Sequence, residues 1–400
     1  MRIDRVDPQP QRFCRYRGVA LALIIGWLCI AGGRAAPDTE HPSPPASVTI
    51  PANVPSFETQ VLPDAGLRTE AVILTPRLSG QSLSRTDPKH GWQFTVACYG
   101  YFRNEYLSQP ELRFRVYAQQ VDDLPRAQQV CRLLLRLQQI AWHRLRLQVN
   151  LQGERVLNVW LCRQGNPGGE QWRNNLYIYS IQSIQHPIEW LREVAHEFSH
   201  ALFPGITGYT APEPWANGYM GERLFMTWLE ATGAQISSDD LCGASLQDIR
   251  QFVQQRCLPL RNRWASNGFP QEDFHQRDAV GMGALIGLAL YIDAVYGSNT
   301  LRATFARLTE PQPSALWKAF TEAIREADEV HLSPVGGDMR VWLSAGRWQV
   351  QTADQKTILR METSRWNGTQ EAWRLPKDGW YQLASSGPVR LVKSVGASPR

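Results

Sequence analysis

The sequence predicts an α+β protein: a mixed sheet with helices packed on it, a helical subdomain after the sheet, and a small all-β domain at the C-terminal end. Three observations carry this. Gln93–Tyr101 and Glu111–Tyr117 alternate well enough for half-buried strands. Between about 219 and 328 the apolar spacing becomes that of helices, and Ala279–Tyr296 is apolar all round, as a core helix is. Beyond about 332 short strand-like runs separated by Gly-containing turns take over, in the manner of a small sandwich or barrel.

Residues 1–36 open with Arg2, Arg5, Arg12, Arg15 and Arg17, continue through the apolar run Val19–Ala31, and close on small residues around Gly32-Gly33 and Ala35-Ala36. This is the pattern of an export signal, which delivers a protein to the periplasm or the extracellular space. The apolar run of 13 residues is short for a membrane span, so no stable span is expected once it is removed; left uncleaved, it would anchor the protein. Six Pro within 37–55 predict an extended linker. Residues 56–118 read as a β-rich region, a sheet extension or a small β-domain.

Across 119–330, Asp122-Asp123 caps a helix reaching about Trp142, with Val130, Leu133, Leu134, Leu137 and Ile140 on its buried face. Strands are expected at Leu145–Leu151 and Val156–Cys162, a turn-rich loop at Gly165–Gly169, and a further strand at Asn175–Ile181. A helix then begins at Pro187, where a missing N–H costs nothing, and stops before Pro204-Gly205. Ile188, Leu191, Ala195, Phe198 and Leu202 form its apolar stripe. Helices follow around Glu222, over Leu246–Arg256 and Ala279–Tyr296, and near 299–308 and 314–327. Residues 331–400 make the small β-domain. Its Trp342, Trp348, Trp366, Trp373 and Trp380 read as core and rim residues in preference to a ligand platform.

The helix from Pro187 contains His196-Glu197-Phe198-Ser199-His200. Positions four apart share a helix face, so both imidazoles can reach one ion, with Glu197 beside them to take a proton from water. That is the chemical core of a zinc peptidase. The charge balance points away from nucleic acid. Four of the five net positive charges fall in 1–36, and no basic block or nucleic-acid motif follows. Cys98, Cys131, Cys162, Cys242 and Cys257 remain after the signal; Cys242 and Cys257 are the expected disulfide.

The order of strand, HExxH helix, Pro214-Trp215 loop and a helix with an early Glu resembles the gluzincin metallopeptidases, in particular their compact peptidase-MA-like (minigluzincin) members. The apolar helix ending at Tyr296-Gly297 agrees, and the resemblance covers roughly 120–328. It implies a zincin-like catalytic domain, bound Zn²⁺, a peptide or protein substrate, and an edge strand around Asn175–Ser180 that pairs with substrate backbone. It specifies no oligomeric state. It also implies a third ligand from the following helix. Glu222, 22 residues after His200, fits, with Glu230 as the alternative; Glu213 precedes Pro214 and falls in the loop. The chain departs from the pattern in carrying Asn217-Gly218 where a Glu-Gly pair is expected. It has Met226 where a ligand-orienting carboxylate would stand, and no Tyr near Ala279-Val280. His275 is the catalytic stand-in for that Tyr, with Tyr209 and Tyr219 as alternatives. These departures leave a second expectation: an exported binding protein with a degenerate site.

Overall fold

The computed structural model describes residues 57–76, 84–151, 153–232, 235–267, 271–335, 338–352, 358–361, 367–368 and 372–394. The expected signal (1–36), the expected linker (37–55) and Trp366 lie outside the described residues. The N-terminal part is built on one eight-stranded sheet. Its strands are β1 (Phe57–Leu62), β2 (Glu70–Pro76), β3 (Ser84–Thr86), β4 (Gln93–Arg103), β5 (Glu111–Ala118), β6 (Leu157–Leu161), β7 (Gly168–Trp172) and β8 (Asn175–Tyr179). Their order is β1-β2-β4-β5-β6-β8-β7, with β3 pairing β4. Pairings are antiparallel as far as β5, parallel from β5 through β6 to β8, and antiparallel again at β7. The strands of 57–118 are thus continuous with those that follow.

The sequence expectation for the sheet edge needs correction. Asn175–Tyr179 is not at the edge; it lies between β6 and β7, and all five of its residues are buried. The apolar run Leu176-Tyr177-Ile178-Tyr179 marks a strand covered on both faces. The edge strand is β7, which opens with the Gly168-Gly169 pair that resembles a turn. Leu145–Leu151 is not a strand either. Leu145 ends helix α1 (Leu124–Leu145), and Arg146 turns the chain with a left-handed φ of 58°. Asp123 does not cap α1 by a side-chain hydrogen bond; its carboxylate grips Arg163 at 2.7 and 2.8 Å instead.

Helix α1 covers one face of the sheet, and α2 (Pro187–Leu202) packs beside it. Leu133, Leu134, Leu137 and Ile140 of α1 are fully buried. Each contributes about 1.5–3 kcal/mol by leaving water. Next come α3 (Asn217–Thr232), α4 (Leu246–Phe252), α5 (Leu258–Asn262), α6 (Gln271–His275), α7 (Ala279–Tyr291), α8 (Gly297–Ala306) and α9 (Pro313–Glu326). The stretch Ala279–Ala306 is long and apolar enough to cross a membrane, yet 72% of its most apolar window is buried inside the protein. The opposite face of the sheet carries a separate aromatic cluster of Phe94, Tyr117, Trp160, Tyr177 and Tyr179.

The C-terminal domain is all-β. Its strands are β9 (Glu329–Leu332), β10 (Met339–Leu343), β11 (Gly346–Thr352), β12 (Ile358–Met361), β13 (Asn367–Gly368), β14 (Ala372–Leu375), β15 (Gly379–Ala384) and β16 (Val389–Lys393). They form two four-stranded sheets, β10-β15-β12-β13 and β14-β11-β16-β9. Trp348 and Trp373 are fully buried in this domain. Trp380 stacks on Trp317 of α9 at 5.6 Å, and Trp317 on Trp264 at 5.8 Å, which ties the domain to the helices. These Trp are core and joint.

The five described cysteines are buried free thiols. The expected Cys242–Cys257 disulfide is not formed. The Cys242 carbonyl accepts from Arg126, while the Cys257 thiol faces the Arg223 carbonyl at 3.8 Å. Burial pushes both thiols up to about 12, against opposing pulls from Arg126 and Arg223.

Candidate metal centre

Helix α2 runs over the predicted range. Pro187 is its first residue, Glu189 favours the positive end of its dipole, and Phe203 leaves the helix with extended backbone. Leu191, Val194, Ala195 and Phe198 are buried. Phe198 meets Phe114 of β5 at 5.7 Å and Phe225 of α3 at 6.1 Å. That packing fixes the rotation of α2 and turns Glu193, His196, Glu197 and His200 toward the cleft.

The two imidazoles converge. Nε2 of His196 and Nε2 of His200 are 3.2 Å apart. Each ring is set from its other nitrogen. Asn217, at the start of α3, donates its amide to the His200 and Phe203 carbonyls, which leaves its Oδ1 to accept from His200 Nδ1 at 2.9 Å. His200 therefore carries its proton on Nδ1 and presents a bare Nε2. Glu222 Oε2 lies 3.6 Å from His196 Nδ1, on the side of that ring turned away from His200 Nε2.

Glu222 is thus not where the family pattern would put a third ligand. Its carboxylate sits behind His196, is almost fully buried, and is held by Arg192 at 2.8 Å and by Arg223. Burial acts to raise its pKa, but Arg223, His196 and Arg192 together hold it well below the usual carboxylate range. It occupies the orienting place that the sequence pattern assigned to Met226. Glu230 faces away, toward Cys257 and Arg261.

The carboxylate on the Nε2 side is Glu213. Its Oε2 lies 3.3 Å from His196 Nε2 and 3.7 Å from His200 Nε2. Its Oε1 is buried with no hydrogen-bond partner among the described residues. Burial alone would raise its pKa, but the two histidines bring it down to about 2. Glu213 reaches the site from a loop pinned at several points. Thr207 N–H donates to the Pro311 carbonyl at 2.8 Å, Thr210 N–H to the Arg277 carbonyl at 2.6 Å, and Ala216 N–H to the Ile206 carbonyl at 2.8 Å. The flanking Pro212 and Pro214 were the signal available in the sequence, since paired prolines present the residue between them on restricted backbone.

Backbone comes unusually close on two sides. A Cβ on Gly218 would fall 2.4 Å from His200 Nε2 and 2.6 Å from His196 Nε2. A Cβ on Gly169 of β7 would fall 2.3 Å from Cγ of Glu197. Glu197 is buried beneath that edge strand. Burial first, then the charges of Glu193, Glu213 and Glu170, push it up to about 8 against the pull of His196. His196 is itself raised well above its ordinary range. Burial acts the other way, but the carboxylates of Glu213 and Glu222 outweigh it.

These groups fit a divalent ion. The motif places donor atoms of His196, Glu197 and His200 within 4.8 Å of one another, a zincin-like site. Zinc bound about 2.0–2.2 Å from each ligand in tetrahedral geometry spaces its donors by roughly 3.3 Å. The Nε2, Nε2, Oε2 triangle measures 3.2, 3.3 and 3.7 Å. His275 is not part of this group. It ends α6, is exposed, and has its ring against Phe274. Tyr219 packs edge-on to His196 at 4.5 Å, and Tyr209 is buried with its hydroxyl unpaired among the described residues. No family model matches the chain, and no curated protein matches it significantly.

Proposed function

We propose that the chain is an exported, zinc-dependent metallopeptidase of gluzincin type in which His196, His200 and Glu213 hold the ion and Glu197 is the general base. One observation carries the reading: two imidazole Nε2 atoms and a carboxylate oxygen with a buried, unpartnered twin are spaced as zinc ligands are. Zinc held there supplies Lewis-acid polarisation of a carbonyl and acidifies water. Glu197 takes the proton from water attacking the peptide carbon and passes it to the leaving nitrogen. Its raised pKa suits both halves of that task near neutral pH. The free edge of β7 offers backbone hydrogen bonds to an extended peptide added as a further strand.

The test is zinc content together with cleavage of an unfolded protein such as casein. The expected result is one equivalent of zinc, and hydrolysis that Glu197→Gln abolishes while the zinc stays. Stoichiometric zinc with no cleavage of any peptide library would replace this reading with the binding protein; absence of zinc would end both.

A further inference from the structure

Glu193 is an acidic cleft residue with no part in holding or orienting the imidazoles. It lies one turn before His196 and Glu197 on the same face of α2. It is half-buried, and no hydrogen bond or ion pair among the described residues engages its carboxylate. Its Oε1 approaches to 3.9 Å a Cβ built on Gly168, so it sits beneath the start of β7, while Glu197 sits beneath Gly169. The arginines on either side of this face, Arg192 and Arg223, are both held by Glu222. Glu193 is therefore a largely shielded carboxylate on which His196 and Arg192 act only at longer range, without an ion pair, and such a group gains from a cation brought in by a ligand.

The chemistry at Glu197 fixes which part of a ligand arrives there. Glu197 delivers a proton to the leaving nitrogen, so the leaving half of the substrate occupies the Glu197 side of the ion site, away from His200. A peptide laid antiparallel on β7 passes from Trp172 toward Gly168, over Glu197 first and Glu193 next. Building on the peptidase reading above, we propose that Glu193 selects substrates with lysine or arginine immediately after the cleaved bond.

The experiment compares quenched peptides identical except at that position (Lys, Arg, Leu or Glu) in wild type, Glu193→Gln and Glu193→Lys, with zinc content measured for each protein. Binding of the same peptides is followed by fluorescence anisotropy in the Glu197→Gln background. In wild type, kcat/KM should favour Lys and Arg over Leu by roughly 10- to 100-fold, the scale of one charge-assisted contact. Glu193→Gln should remove that ratio, and Glu193→Lys should turn it toward Glu, in cleavage and in binding, with one equivalent of zinc in all. Cleavage by wild type without preference for a cation, or a preference that survives Glu193→Gln, overturns this proposal alone. Failure to cleave any peptide overturns the peptidase reading and this proposal with it.

Discussion

Two carboxylates flank His196, and their positions assign them opposite duties. Glu213 faces Nε2, while Glu222 faces Nδ1 and is neutralised by two arginines. Glu222→Ala should weaken zinc binding by about 10–100-fold, the scale seen when a ligand's orienting partner is lost. Asn217→Ala should behave in the same way. Glu213→Ala should weaken binding well beyond that, as competition against a zinc-sensitive dye will measure; equal effects at 213 and 222 would contradict the assignment. The metal-free site also makes stability depend on pH. The pKa of Glu197 rises from 4.5 unfolded to about 8 folded, so its contribution is complete below 4.5 and disappears as pH rises through 8. His196, also raised, loses its contribution in the same direction above 6.5. Glu213, lowered to about 2, contributes above 4.5 and fails as pH falls toward 2. Chelator-treated protein should thus be most stable near pH 4.5 and lose stability on either side. Glu197→Gln should recover a few kcal/mol of the alkaline loss in urea titrations.

At the scale of elements, the site depends on how closely α3 approaches α2. A Cβ on Gly221 would fall 2.1 Å from Ser199 Oγ and 2.5 Å from its Cβ. Gly221→Ala should therefore destabilise by about 1–3 kcal/mol through overpacking, although alanine is the better helix former. Urea unfolding will read this; a gain in stability would mean that the helices have room to part. The same scale separates what the sequence made legible from what it did not. Helix α2 was readable to its ends because Pro187, the apolar stripe and Pro204 are all local signals. His196, Glu197 and His200 came with it, since one helical turn sets their spacing. Strand β7 was hidden because Gly168-Gly169 has the composition of a turn, and only the pressure of Glu197 against the strand explains glycine there. Glu213 was hidden for a different reason. Its place depends on the path of a loop fixed by Arg277 and Pro311, far along the chain.

Across the whole molecule, the aromatic joint links the helices of the α+β part to the β-domain. Trp264 is buried and stacks on Trp317, which stacks on Trp380. The hydroxyls of Tyr291 and Tyr296 add bonds to the backbone of β10 at Arg340 and Trp342. Trp264→Ala should cost about 3–5 kcal/mol, and calorimetry should then resolve two unfolding steps where wild type shows one. A single transition at lowered temperature would mean that the halves remain cooperative without the stack.

The loop that presents Glu213 would set how an ion enters and leaves the site. An ion bridging that loop to α2 would act as a clasp: without it, the two histidines face a carboxylate on a span held by the hydrogen bonds of Thr207, Thr210 and Ala216. Residues 206–214 should exchange their amide hydrogens for deuterium markedly faster after chelation, while α2, buttressed by Phe114 and Phe225, changes little. Departure of zinc would then be governed by the swing of one short segment, and the centre would reload at the rate at which that segment closes.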